Sequence, residues 1–144
     1  MSYIRKIVKT RVLIVLTLVA MSSSAFAEIA VIVHPSVSQS ATVKDIAKLF
    51  LGKSKTLPGG IKLIPIAVEG SGEITTRFNK DLLRKEDSQL KAYWSRLVFT
   101  GKAQPPKDIE SESKVLELVA ANPNMIGYIS SDLVSDSVRV LHSF

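Results

Sequence analysis

The stretch Val68-Glu69-Gly70-Ser71-Gly72-Glu73-Ile74-Thr75-Thr76-Arg77-Phe78 decides how this chain reads. Before it, Ile61 to Val68 is apolar and partly β-branched, the pattern of a buried strand. After it, Ile74, Phe78 and Leu82 recur at four-residue steps and Leu83 widens the stripe, which predicts an amphipathic helix. Between them lies Gly-Ser-Gly, a turn that lets backbone approach a ligand closely. A strand feeding a glycine turn and then a helix gathers unpaired N–H groups at the positive end of the helix dipole, the outline of an anion site. The same residues also read as ordinary turn chemistry in which Ser71 caps the helix.

Residues 1–27 carry the pattern of a cleavable signal peptide. Arg5, Lys6, Lys9 and Arg11 form a positive start, Val12 to Met21 an apolar run too short for a comfortable membrane span, and Ala25-Phe26-Ala27 a small-residue cleavage site before Glu28. The expected product is an exported, periplasmic chain of 117 residues, 28–144, long enough for one domain. Of 19 basic and 13 acidic residues, four basic and no acidic ones precede Glu28, so the formal charge falls from +6 to +2. That near-balance removes the main support for nucleic-acid binding. With no cysteine in the chain, disulfides and thiolate chemistry are excluded.

The remainder alternates strands and helices. Ile29 to Val33 is a β-branched run expected to be buried on both faces. Thr42, with Asp45 three residues on, starts a helix whose buried side is Val43, Ile46, Ala47 and Phe50 and which Gly52 ends. Ser88 opens a helix with Leu90, Tyr93, Trp94, Leu97 and Val98 on one core-facing stripe, and Thr100 to Asp108 follows as a loop stiffened by Pro105-Pro106. Ser111 or Ser113 opens the next helix, through Val115, Leu118 and Val119; Met125 to Ile129 is a third strand and Val138 to Leu141 a fourth. The order predicts a small α/β domain with a mostly parallel sheet flanked by helices.

Five stretches in this order resemble the periplasmic phosphate-binding proteins of ABC transporters, in particular their short, single-lobe relatives. They are Ile46 to Lys53 (IAKLFLGK), Gly70-Ser71-Gly72 with Arg77 and Phe78, Ala92-Tyr93-Trp94, Phe99 to Lys102 with Pro105-Pro106, and Met125 to Ile129. The resemblance implies a single lobe of the type II periplasmic-binding-protein-like fold and an oxyanion ligand, with phosphate the first candidate. It departs from the family in length, and in having Glu73 where a hydroxyl residue usually follows the Ser-Gly pair.

The expected ligand-binding residues are thus Gly70, Ser71, Gly72, Glu73 and Arg77. Ser71 either donates its hydroxyl to the anion or caps the helix; Arg77 either pairs with the anion or stays solvated or paired with Glu73. Ser36, Ser38 and Ser40 follow the first strand and read as loop serines; His34 and His142 have no acidic partner patterned around them. With no metal-ligand spacing, P-loop, nucleophile elbow or catalytic pair, no enzymatic activity, metal or cofactor is expected. The expected partners are the oxyanion and an ABC permease or a second copy of the chain. The alternative is an envelope protein-protein interaction module that keeps the lobe and has lost the ligand.

Overall fold

The structure is a computed structural model that describes residues 26–144. The expected signal peptide, apart from Phe26 and Ala27, lies outside the described residues. The described chain runs β1 (Ile29–Val33), α1 (Val43–Phe50), β2 (Ile64–Val68), α2 (Glu73–Asp81), α3 (Asp87–Phe99), β3 (Lys107–Ile109), α4 (Glu112–Ala121), β4 (Met125–Ser130), a 3-10 turn (Ser131–Leu133) and β5 (Arg139–Ser143).

Local chemistry sets the helix starts. Thr42 caps α1 by accepting from the Asp45 amide at 3.2 Å, while Asp45 Oδ2 accepts from the Thr42 amide at 2.9 Å. The Thr42 amide and, at 2.7 Å, the Thr42 hydroxyl both donate to Asp45 Oδ2 and hold the Asp45 carboxyl below its ordinary pKa. Ser111 caps α4 by accepting from the Lys114 amide at 3.1 Å. The start of α3 differs from expectation: Glu86, not Ser88, is its N-cap, and its amide donates to Gln89 Oε1 at 2.9 Å.

The five strands form one sheet in the order β3-β2-β4-β1-β5. β2 is parallel to both β3 and β4, β1 is antiparallel to β4, and β5 is antiparallel to β1. Four strands therefore point one way and β1 alone runs against them, the expected mostly parallel α/β sheet. The expected grouping of the first, second and fourth strands in one sheet holds, with β1 and β2 both paired to β4. β3 falls in part on the loop expected over Thr100 to Asp108, and its Lys107 and Asp108 are exposed. It is a strand because its backbone completes the ladder of β2, Ala67 opposite Asp108 and Val68 opposite Ile109.

Every residue of β1 is buried, as its composition requires. Ile29, Val31 and Val33 face one layer with Ile46 and Phe50 of α1, Phe78 of α2 and Leu90 of α3; Ala30 and Ile32 face Val115 and Val119 of α4. Helices thus cover both faces of the sheet. Trp94 is half-buried rather than core: its ring lies against Gly52, whose φ of +69° ends α1. In the expected α3 stripe only Leu90 is buried and Val98 is 43% exposed; an open cavity lies between Leu90, Lys91 and Trp94 of the helix and β2 and β3. Tyr93 holds α3 to α1 instead, donating its hydroxyl to the Leu51 carbonyl at 2.6 Å.

Among the described glycines, Gly127 on β4 has the least room for a side chain. A Cβ there would come within 2.6 Å of Val115 Cγ1 and 3.3 Å of Ile66 Cγ1. Gly127→Ala is expected to push α4 off the sheet and cost about 1–3 kcal/mol, read as a lower urea midpoint at unchanged slope. A variant as stable as the parent would show that α4 packs elsewhere.

Candidate functional site

β2 ends at Val68, and the chain turns through Gly70, at φ +88°, into α2. The N-cap is Gly72, at φ −64° and ψ 166°, so Ser71 stands one residue outside the helix and is not its cap. No side chain caps α2, whereas a side-chain acceptor bonds a backbone N–H at the start of α1, α3 and α4. Gly70, Ser71, Gly72 and Glu73 are all exposed. The first-turn amides of α2 thus face solvent at the carboxyl end of a parallel strand, where open α/β sheets bind ligands.

The turn is fixed from beneath by Tyr128 of β4, which is 1% exposed. Its hydroxyl donates to Thr75 Oγ1 at 3.1 Å and accepts from the Val68 amide at 3.3 Å; Thr75 Oγ1 donates to the Val68 carbonyl at 3.3 Å. The Tyr128 ring stacks on Phe78 with centroids 3.9 Å apart and planes 9° from parallel, and Phe50 closes edge-on to Phe78 at 4.8 Å. One residue thus ties the last amide of β2 to the first turn of α2. No local sequence signal announces this role, since Tyr128 lies 53 residues from Thr75.

Two cavities open on either side of the turn, and the five expected site residues divide between them. Gly70 and Ser71 line a cavity of about 590 Å³ over Tyr128, with Asp87, Lys91 and Asp108 on its walls. Asp87 is engaged there, accepting from Thr76 Oγ1 at 3.1 Å and Asn79 Nδ2 at 3.0 Å. Gly72, Glu73 and Arg77 line a second cavity of about 600 Å³ with Phe26, Ala27, Glu112 and Ser130. Glu73 is the first residue of α2, where a carboxylate suits the dipole but opposes an incoming anion. Arg77 does not fold back over the turn: its guanidinium donates to the Ala27 carbonyl, lies 5.6 Å from the centre of the Phe26 ring and sits 3.9 Å from Asp81. That last pair is partly solvated and contributes little to stability.

Away from the turn, Ser36 after β1 bonds His34 Nδ1 at 2.7 Å, and Arg139 holds the loop by donating to the Val37 and Gln39 carbonyls at 2.8 and 3.0 Å. Among the described residues no group of three or more His, Cys, Asp or Glu side chains is placed to hold a metal ion.

No family model matches the sequence, and neither does any curated protein. Solved structures do match. An ABC-type phosphate transport receptor from Vibrio cholerae superposes with a TM-score of 0.60 at 16% identity, covering 80% of this chain and 46% of its own. PstS from Borrelia burgdorferi does so with a TM-score of 0.57 at 20% identity, covering 81% of this chain and 47% of its own. This chain has the fold of the phosphate receptors. A protein from Clostridium perfringens, solved with bound phosphate, agrees with a TM-score of 0.61 at 20% identity. The chain spans about half the length of these relatives, 45% in the Clostridium case, as expected of one lobe of the receptor fold.

Tyr128→Phe keeps the aromatic stack and deletes the hydroxyl, leaving the half-buried Val68 amide without its acceptor. The expected loss is about 1–3 kcal/mol in urea denaturation. Burial holds the Tyr128 phenol above its ordinary value of 10.0, with Asp108 and Asp87 adding to the shift. The folded chain therefore keeps a proton that the unfolded chain sheds, so stability is full below pH ~10 and falls as pH rises through the folded-state value. The phenylalanine variant should lack this alkaline slope, and an identical slope in both chains would place Tyr128 in solvent.

Proposed function

We propose that this chain is an exported, non-enzymatic, periplasmic solute-binding lobe that takes an oxyanion, phosphate first, at the turn between β2 and α2, in the service of ABC-type transport or sensing. The uncapped N-terminus of α2, held in place by Tyr128 and open at the carboxyl end of β2, carries this reading. The similarity to phosphate receptors supports it. In this mechanism the amides of Gly72 and Glu73 at the crest of the turn are the fixed donors; Ser71 adds its hydroxyl from the cavity on one side, and Arg77, once turned away from the Ala27 carbonyl, adds the counter-charge from the other. Glu73 is the opposing term: a carboxylate about 4 Å from a bound anion costs several kcal/mol even at an effective dielectric near 20.

A second reading, an envelope interaction module on the same lobe, is favoured by one observation. Phe99, at the exposed end of α3, is 92% exposed, next to Val98 at 43%. Such a pair suits a protein partner, a permease or a second copy of the chain.

Isothermal titration of the chain starting at Glu28 with phosphate and with sulfate, at fixed low salt, separates the two readings. Glu73→Thr is expected to raise phosphate affinity at least about tenfold, since 1.4 kcal/mol of relieved repulsion suffices. Ser71→Ala in that background should reverse part of the gain. Absence of binding in the parent and both variants would leave the interaction module as the reading.

A further inference from the structure

The contacts of Arg77 with Phe26 and Ala27 bear on when the anion site is complete. Those residues are the last two before the expected cleavage point, and they wall the cavity that holds Gly72, Glu73 and Arg77. The Arg77 guanidinium is occupied by them, donating to the Ala27 carbonyl and lying over the Phe26 ring. While they are present, the charged walls of this cavity are one guanidinium against two carboxylates, Glu73 and Glu112, a surplus of negative charge facing any anion. The Glu112 carboxylate is held in place by the Ser130 amide.

We propose that removal of the chain through Ala27 completes the oxyanion site by placing the new α-ammonium of Glu28 beside Arg77. Covalent geometry fixes where that ammonium would sit. The nitrogen of Glu28 belongs to the same peptide group as the Ala27 oxygen that Arg77 contacts, and the two atoms are ~2.3 Å apart. The nitrogen therefore lies within about 5 Å of the guanidinium that donates to that oxygen. Glu28 cannot drift far when its predecessor leaves. Its carbonyl accepts from the Ser131 amide at 2.8 Å, and the next amide, Ile29, donates to the Phe144 carbonyl at 2.9 Å.

The consequence is electrostatic. The cavity changes from a surplus of negative charge to two cations against two carboxylates. Arg77 loses its bond to Ala27 and its cover by Phe26. Two cations side by side repel one another unless an anion lies between or beside them, which favours an oxyanion over a neutral solute. The ammonium also answers the charge of Glu73, the residue that most opposes anion binding. The amino terminus is then a ligand group, and the leader's last residues are its cover.

This inference rests on the oxyanion reading, and one experiment separates the two. Three forms are titrated with inorganic phosphate at fixed low salt: the chain starting at Glu28 with a free amino group, the same chain acetylated at that group, and a chain starting at Phe26. The free-amino form is expected to bind at least about tenfold more tightly than the other two. Arg77→Gln in the free-amino form should erase most of that difference. Equal, measurable affinity in all three forms would overturn the role of the amino terminus and leave the oxyanion site standing. No phosphate binding by any form, with Glu73→Thr in the free-amino form also silent, would overturn the site itself and this inference with it.

Discussion

The buried hydroxyl of Tyr128 is the contact on which the candidate site depends. It joins the Val68 amide, at the end of β2, to Thr75, in the first turn of α2. A glycine turn between a strand and a helix has many accessible conformations, and ordering it costs backbone entropy. Three hydrogen bonds, two made by the Tyr128 phenol and one by Thr75 to the Val68 carbonyl, select one of them. The stack with Phe78 and the edge contact with Phe50 bring α1 and α2 onto the same ring. The strand, both helices and the turn are therefore positioned together.

That arrangement presents amide donors to solvent while keeping the polar groups beneath them satisfied. The other described helices close their first turns with their own side chains, and α2 leaves its first turn open. The cavities on either side explain why the charges around the turn do not simply add. Asp87 and Asp108 stand on one side, Glu73 and Glu112 on the other, with Arg77 turned toward the chain that precedes β1. On the oxyanion reading proposed above, the fixed dipoles at the turn would matter more than net charge, as would whatever covers or uncovers Arg77.

The sheet shows a division of labour in the same terms. β1 is buried on every residue and draws on both helical layers at once; it alone runs against the other four strands. β3 contributes three residues and one buried side chain, and exists because β2 offers it a ladder. Trp94 of α3 lines an open cavity and stays half-buried, and the C-terminal end of α3, at Val98 and Phe99, is exposed, the region where a partner would add most burial.

Much of this was legible in the sequence, and for physical reasons. The β-branched run of β1, the Thr42–Asp45 cap, the Gly52 stop and the Gly-Ser-Gly turn before an apolar stripe are local features, whose conformations follow from residues a few positions apart. They sufficed for the α/β class, the strand grouping and the location of the turn. The tertiary structure decided what depends on distant residues. It made a strand of Lys107–Ile109 through the ladder of β2, moved the cap from Ser71 to Gly72, and kept Trp94 out of the core. It also divided the five site residues between two cavities and set Tyr128 beneath them, because hydrogen bonds and burial across 53 residues leave no periodic trace in the sequence.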